Sequence, residues 1–151
     1  MPMPPLPPTN PSSPFASMKG NHVAVRVPDY EQATRWYIEK LDFRLVRTWA
    51  LGDLQLAYLA PANDNGFFVE VMAGGSPISK AEYTDLTDSL RLSGGHHYSL
   101  SVDSIDDTLA ELRRRGVTIV TEPFVLEAIS RRLAFIADPW GNLIEFAQVL
   151  R

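Results

Sequence analysis

The stretch NHVAVRV, residues 21–27, alternates strictly: Val23, Val25 and Val27 fall on one face, while His22, Ala24 and Arg26 fall on the other. A period of two with valines on one side is the pattern of a half-buried β-strand, and here it carries an imidazole on the side away from the valines. Asp29 follows as an N-cap, with Gln32 three residues on completing a capping box. A helix is expected over Tyr30–Lys40, with Ala33, Trp36, Tyr37 and Leu41 spaced for one apolar face. FRLVRTWA (43–50) and LQLAYLA (54–60) read as strands around a Gly52-Asp53 turn, and FFVEVMA (67–73) is a further strand after a Pro61–Gly66 turn. The unit is β-α-β-β-β.

The second half repeats that plan. In HHYSLSV (96–102), Tyr98, Leu100 and Val102 oppose His97, Ser99 and Ser101, Ser104 caps a helix to about Arg115, and Gly116 ends it. VTIVTEPFV (117–125) and RRLAFIA (131–137) are expected as strands, the run Asp138–Asn142 as a turn, and LIEFAQV (143–149) as the closing strand. The fold class expected is therefore α+β, with two tandem βαβββ modules, 21–73 and 96–151, on a curved sheet. Between them lies a linker, 74–95, whose stretch SKAEYTDLTDSL suits a short helix; it is long enough to cover a site or to let the halves pair across a dimer. Residues 1–20 form a Pro-rich arm, with seven prolines in MPMPPLPPTNPSSPFAS, expected to be disordered or polyproline-like.

One spacing recurs across the halves. His22 and Glu70 are 48 residues apart, as are His97 and Glu145, and the two pairs are offset by 75 residues. Gly66 and Gly141 share the offset, each four residues before its Glu, where a tight turn with positive φ is expected. In every one of the four strands the His or Glu lies opposite bulky apolar residues: Phe67, Val69 and Val71 for Glu70, and Ile144 and Phe146 for Glu145. Imidazole and carboxylate are the usual ligands of divalent metals, and a carboxylate shielded in mid-strand is costly unless paired or bound. Taken alone, a strand histidine is most often a hydrogen-bonded structural residue and a strand glutamate an ion-pair partner. Four matched positions favour a metal site of His22, Glu70, His97 and Glu145. Alternation sends His96 to the face opposite His97, so it is not expected as a ligand.

Composition narrows the field. A net charge of −4 and a pI near 5.3, with no basic stripe, argue against nucleic-acid binding. The run Arg113-Arg114-Arg115 suits a solvated helix C-terminus. With no cysteine there is neither a thiolate ligand nor a thiol nucleophile. No apolar stretch approaches the ~18 residues that span a membrane, and no signal-peptide pattern opens the chain, so a cytoplasmic protein is expected.

The runs HVAVRVPD, RWYIEKLDFRLVRT, FVEV, HYSLSVDS and AFIADPWGNLIEF, spread from Asn21 to Val149, resemble the vicinal oxygen chelate superfamily, the glyoxalase/bleomycin-resistance/dioxygenase group. The resemblance implies paired βαβββ modules forming a cupped, partly open mixed sheet around a divalent ion, with ligands in the order His, Glu or Gln, His, Glu at His22, Glu70, His97 and Glu145. Two His plus two Glu resembles glyoxalase I, which implies Zn or Ni, with Mn, Fe or Co as alternatives. It also implies a lyase or isomerase reaction in which the metal acts as a Lewis acid on two adjacent substrate oxygens. Glu70 or Glu145 then carries a proton between neighbouring carbons through an enediolate. Arg26 matches the glyoxalase I arginine that holds the glutathione carboxylate. Face assignment makes Phe68, Met72, Ser99 and Ser101 substrate-binding candidates, with Gln55, Trp49, Tyr58 and Arg132 behind them and Trp140 as packing. Two departures weigh against glutathione: Gly74 stands where glyoxalase I has an asparagine, and LEAIS (126–130) replaces its basic, glycine-containing loop. Methylmalonyl-CoA epimerase, for its part, has glutamine where this chain has Glu70. The rival readings are another metal enzyme of the superfamily (dioxygenase or thiol transferase) and a non-catalytic binding or resistance module. A small-molecule substrate and a homodimer are expected, the site lying either within one chain or across the dimer.

Overall fold

The structure, a computed structural model, describes residues 5–150. Residues 1–4 of the expected arm and residue 151 of the expected second module lie outside them. Strand β1 (His22–Val27) leads into α1 (Tyr30–Leu41), then β2 (Arg44–Leu51), β3 (Leu54–Ala60) and β4 (Phe68–Ala73). After a short α2 (Leu86–Ser89) come β5 (His97–Ser101), α3 (Ile105–Arg114), β6 (Phe124–Leu126), a 3₁₀ turn (Glu127–Ile129), β7 (Arg131–Ala137) and β8 (Leu143–Val149). Each half is thus βαβββ. Within the described part of the arm, residues 11–17 form turns closed by backbone bonds such as Ala16 N–H to Ser13 O at 3.0 Å.

The strands form two four-stranded mixed sheets in the same order, β1-β4-β3-β2 and β5-β8-β7-β6. In each, the first and last strands of the module run parallel at one end, and the rest pair antiparallel. The caps form as expected, with the Asp29 carboxylate accepting from Gln32 N–H at 2.7 Å and the Ser104 hydroxyl from Asp107 N–H at 3.2 Å.

Apolar alternation fixes what each sheet buries. Val25, Val27, Val69, Val71 and Ala73 of the first sheet join Ala134, Ile136, Ile144 and Phe146 of the second in one core, together with Ala33 and Tyr37 of α1 and Ile105, Leu109 and Leu112 of α3. The two modules therefore share a core between their helix-bearing faces. A buried polar bond crosses it: the Tyr37 hydroxyl donates to Asp138 Oδ2 at 3.0 Å. Asp138 also accepts from Trp140 N–H, Asn142 N–H and Asn142 Nδ2, so one carboxylate shapes the 138–142 turn and pins it to α1. Burial pushes its pKa above the ordinary carboxylate range. At the rim, Arg115 forks onto Asp42 at 2.7 and 2.8 Å.

Two expectations fail locally. VTIVTEPFV forms a strand only at Phe124–Leu126, because Pro123 has no N–H to offer a ladder; ahead of it a single bridge joins Ile119 to Ile136. Gly141 takes the expected positive φ of 81°, but Gly66 is not among the positive-φ residues. The turn before β4 is held by side chains instead: Gly66 N–H donates to Asp64 Oδ1 at 2.7 Å, and Arg44 donates to Pro61 O, Asp64 O and Asn65 Oδ1.

Candidate metal centre

The parallel pair in each sheet sets the ligand candidates. His22 stands opposite Phe68 and Ala24 opposite Glu70 across β1 and β4, while His97 stands opposite Leu143 and Ser99 opposite Glu145 across β5 and β8. Histidine and glutamate are thus diagonal neighbours on one face, close enough for long side chains to meet. A small residue, Ala24 or Ser99, lies beside each carboxylate and leaves room for the imidazole. His22 Nε2 is 3.1 Å from Glu70 Oε2, and His97 Nε2 is 3.7 Å from Glu145 Oε2. Both imidazoles keep 34% of their side-chain surface exposed, whereas Glu70 and Glu145 keep 13% and 15%.

The other ring nitrogens are also engaged. His22 Nδ1 lies 2.7 Å from Asn21 Oδ1, and His97 Nδ1 lies 2.8 Å from His96 Nδ1. His96 Nε2 in turn lies 3.0 Å from Ser89 Oγ of α2. Burial, then the neighbouring His97 and Lys80, lower the pKa of His96. β5 begins at His97, so the alternation expected to carry His96 to the far face does not reach it. Its ring instead meets that of His97 edge-on at 5.1 Å.

Aromatic walls flank both pairs. Tyr58, directly opposite Glu70 across β3, packs 5.2 Å from the His22 ring, 4.7 Å from Trp49 and 5.5 Å from Phe68. In the second module Phe135 is opposite Glu145 and lies 5.2 Å from His97, with Phe124 stacked at 6.4 Å. Phe135 is absent from the residues that sequence suggested; its signal is cross-strand register, which a hairpin of unknown length conceals.

The remaining candidates divide. Phe68 and Met72 share the face of Glu70, Ser99 and Ser101 share that of His97, and Trp49 and Tyr58 line the first wall. Gln55 pairs with Ala73 on the other face of its sheet. Arg132 likewise pairs with Gln148 away from the ligands and forks onto Asp106 at 2.6 and 2.8 Å. Arg26 donates to the carbonyls of Val27 at 2.8 Å and Met72 at 2.9 Å, and to that of Gly74, fastening the end of β4. Trp140 packs against the shared core.

Because the modules share a core through their opposite faces, both ligand faces turn outward. Among the described residues no group of three or more His, Cys, Asp or Glu comes together, so the chain presents two His–Glu pairs and not one four-ligand cluster. None of the four lines either large cleft, of about 640 and 670 Å³. The donor chemistry nonetheless suits a divalent ion: each pair sets an imidazole Nε2 against a shielded carboxylate, and two such pairs supply four nitrogen and oxygen ligands of the type such ions take. Among the described residues no helix is long and apolar enough to cross a membrane.

Comparison with known proteins agrees with this architecture. The model of the glyoxalase/bleomycin resistance protein/dioxygenase superfamily matches residues 19–146. The Synechocystis protein named "Probable lactoylglutathione lyase" is 25% identical over 130 residues, covering 84% of this chain and 92% of its own. The mitochondrial methylmalonyl-CoA epimerase of Mus musculus is 24% identical over 132 residues, covering 85% of this chain and 71% of its own. A crystal structure of a glyoxalase family protein from Enterococcus faecalis superposes with a TM-score of 0.71 at 20% identity, covering 89% of this chain and 99% of that one. The duplicated βαβββ fold and the family match over most of its length lead to one conclusion: the chain belongs to the glyoxalase/bleomycin resistance protein/dioxygenase superfamily.

Proposed function

We propose that this protein is a divalent-metal-dependent lyase or isomerase that moves a proton next to a substrate carbonyl, with its site completed across a homodimer. The observation that carries the reading is the pair of His–Glu contacts, 3.1 and 3.7 Å, in identical diagonal register on two outward faces. His22 and Glu70 of one protomer would hold the ion together with His97 and Glu145 of a second. When bound, Zn²⁺ or Ni²⁺ supplies Lewis acidity toward two adjacent substrate oxygens.

The chain's own residues do the rest. Glu70 or Glu145 takes the proton from the carbon beside the carbonyl and returns it to the same or the neighbouring carbon, a role that a shielded carboxylate next to imidazole can fill. Phe68, Tyr58, Trp49 and Phe135 would shield the reacting carbon from bulk water, with Met72 on the Glu70 face and Ser99 and Ser101 on the His97 face. The relatives named as a probable lactoylglutathione lyase and a methylmalonyl-CoA epimerase support the lyase or isomerase class by their names.

Glutathione fits this chain poorly as the carrier. A Cβ at Gly74 would sit 2.9 Å from the backbone oxygen of Asp53, and φ there is +103°, so an asparagine side chain would be strained there. The Arg26 guanidinium is spent on three backbone carbonyls. LEAIS forms a short 3₁₀ turn containing one acidic and no basic residue. Another thioester or thiohemiacetal, or a plain α-hydroxy carbonyl, is the better substrate class.

The test is deuterium incorporation. Protein loaded with Zn²⁺ or Ni²⁺ is incubated in D₂O with a panel of α-hydroxy carbonyls, thiohemiacetals and α-substituted acyl thioesters. Exchange at the α-carbon that disappears in both Glu70→Gln and Glu145→Gln is the expected result. Failure of the wild type to take up any supplied divalent ion would overturn the reading. Mixing His22→Ala and Glu145→Ala chains tests the shared site, since only cross-subunit pairing restores one intact set of ligands.

A further inference from the structure

We propose that His96, braced by Ser89 of α2, is a positioning residue that fixes which ring nitrogen of His97 faces Glu145. Asn21 does the same for His22. The inference rests on the reading of His22 and His97 as metal ligands.

A histidine can ligate through Nε2 only if its proton sits on Nδ1, so whatever accepts from Nδ1 sets the tautomer. In the first module that acceptor is the side-chain oxygen of Asn21, 2.7 Å from His22 Nδ1. A carbonyl oxygen can only accept, so His22 carries a proton on Nδ1, which leaves Nε2 as the nitrogen that meets Glu70.

The second module reaches the same state through a longer chain. The Ser89 hydroxyl has one proton, and it donates that proton to Leu86 O at 2.6 Å. Ser89 Oγ, 3.0 Å from His96 Nε2, must therefore accept, which places the His96 proton on Nε2. His96 Nδ1 is then a bare lone pair, and His97 Nδ1, 2.8 Å away, must be the donor. The result is a proton held on Nδ1 of His97, with Nε2 left to face Glu145, the arrangement a ligand needs. The opposite proton arrangement would set lone pair against lone pair between Ser89 and His96. Ser89 is 1% exposed, so it cannot turn to water instead.

The repeat extends to these anchors. Asn21 and His96 each immediately precede the ligand histidine, and they stand 75 residues apart, like the ligands themselves. The linker takes part in the relay as well, because α2 holds Ser89 where His96 can reach it and so couples the linker to the second ligand pair.

The test begins without metal. Two-bond ¹H–¹⁵N spectra of the full chain at about pH 8, above the imidazole range, should show His22 and His97 protonated on Nδ1. In His96→Phe, His97 should shift toward the Nε2–H form that an unconstrained histidine prefers, and Ser89→Ala should give a mixture. His96→Asn supplies the acceptor that Asn21 already provides, so it should restore the Nδ1–H form. Zn²⁺ affinity, measured by competition, should fall about 10–100-fold in His96→Phe, the usual cost of losing such an outer partner. It should fall less in Ser89→Ala and recover in His96→Asn. A His97 that keeps its proton on Nδ1 in both His96→Phe and Ser89→Ala overturns the inference, as does unchanged Zn²⁺ affinity in His96→Phe. If the wild type binds no Zn²⁺, it is the metal reading that fails, and the metal-free spectra alone decide the relay.

Discussion

The two modules hold a histidine and a glutamate in the same diagonal register, yet almost everything around those pairs differs. The first pair closes to 3.1 Å beside Tyr58, Trp49 and Phe68; the second stands at 3.7 Å beside Phe135 and Phe124. The outer strand of the first sheet, β2, has eight residues, and its counterpart β6 has three. The turn before β4 is held from outside by Arg44, whereas the turn before β8 is held from inside by Asp138. What the modules keep in common is strand parity and the place of the small residue beside each carboxylate. That is the part the proposed site requires of both modules, and the rest is free to diverge.

Removing one carboxylate from either half tests whether the halves share a single ion. Glu70→Gln and Glu145→Gln should each lower divalent-ion affinity by more than the roughly 10–100-fold that loss of an outer partner costs. Both should abolish binding at a stoichiometry of about one ion per chain, as read by elemental analysis after dialysis against limiting metal. If Glu70→Gln instead leaves half of the wild-type metal, each module holds its own ion and the comparison breaks.

The two turns give the next largest contrast. Asp138→Ala strands the Tyr37 hydroxyl and the donors of Trp140 and Asn142 in the core, so it should cost about 3 kcal/mol in urea unfolding. Arg44→Ala opens an exposed turn and should cost about 1 kcal/mol. Similar losses would mean that the first turn is also a core element. The glycines that flank β4 and β8 sharpen the same point. Gly74→Asn must resolve a 2.9 Å approach to Asp53 O and should cost about 1–3 kcal/mol. At Gly141 an added Cβ meets only Tyr83 at 3.8 Å, so Gly141→Ala should cost about 1 kcal/mol, through its φ alone.

What the sequence disclosed follows from the same asymmetry. Parity along a strand is a local property, so the faces of His22, Glu70, His97 and Glu145 can be read from their neighbours, and the 75-residue offset makes them one set. Caps at Asp29 and Ser104 are likewise local. Cross-strand partners are not. Tyr58 lies twelve residues before Glu70 and Phe135 ten before Glu145, so the repeat offset does not map one onto the other. His96 is misplaced when alternation is carried one residue past the start of β5, and Arg132 because its face depends on pairing with Gln148. That the two pairs stay apart within one chain depends on how the modules pack together, which neither module's pattern contains.

The rim between modules offers the smallest effect, and one with a definite sign. Hydrogen bonds from Arg114, then Arg115, hold Glu111 down to a pKa of about 2, from an ordinary 4.5. Hydrogen bonding to Arg115 also lowers Asp42. Groups depressed by folding contribute stability that is full above their unfolded values and is lost as pH falls through the folded ones. For Glu111 that window runs from about 4.5 down to about 2. Asp138 works the other way: its pKa is raised by burial, so its ionisation opposes folding as pH rises from the unfolded 3.8 through the folded value. Urea midpoints against pH should therefore fall below about pH 4 in the wild type and fall less steeply in Arg115→Met, which frees Asp42 and leaves Glu111 only Arg114. Asp138→Asn should remove the loss of stability on the alkaline side of pH 3.8 without altering the acid limb. A steeper acid limb in Arg115→Met would place the acid-sensitive contact elsewhere than at this seam.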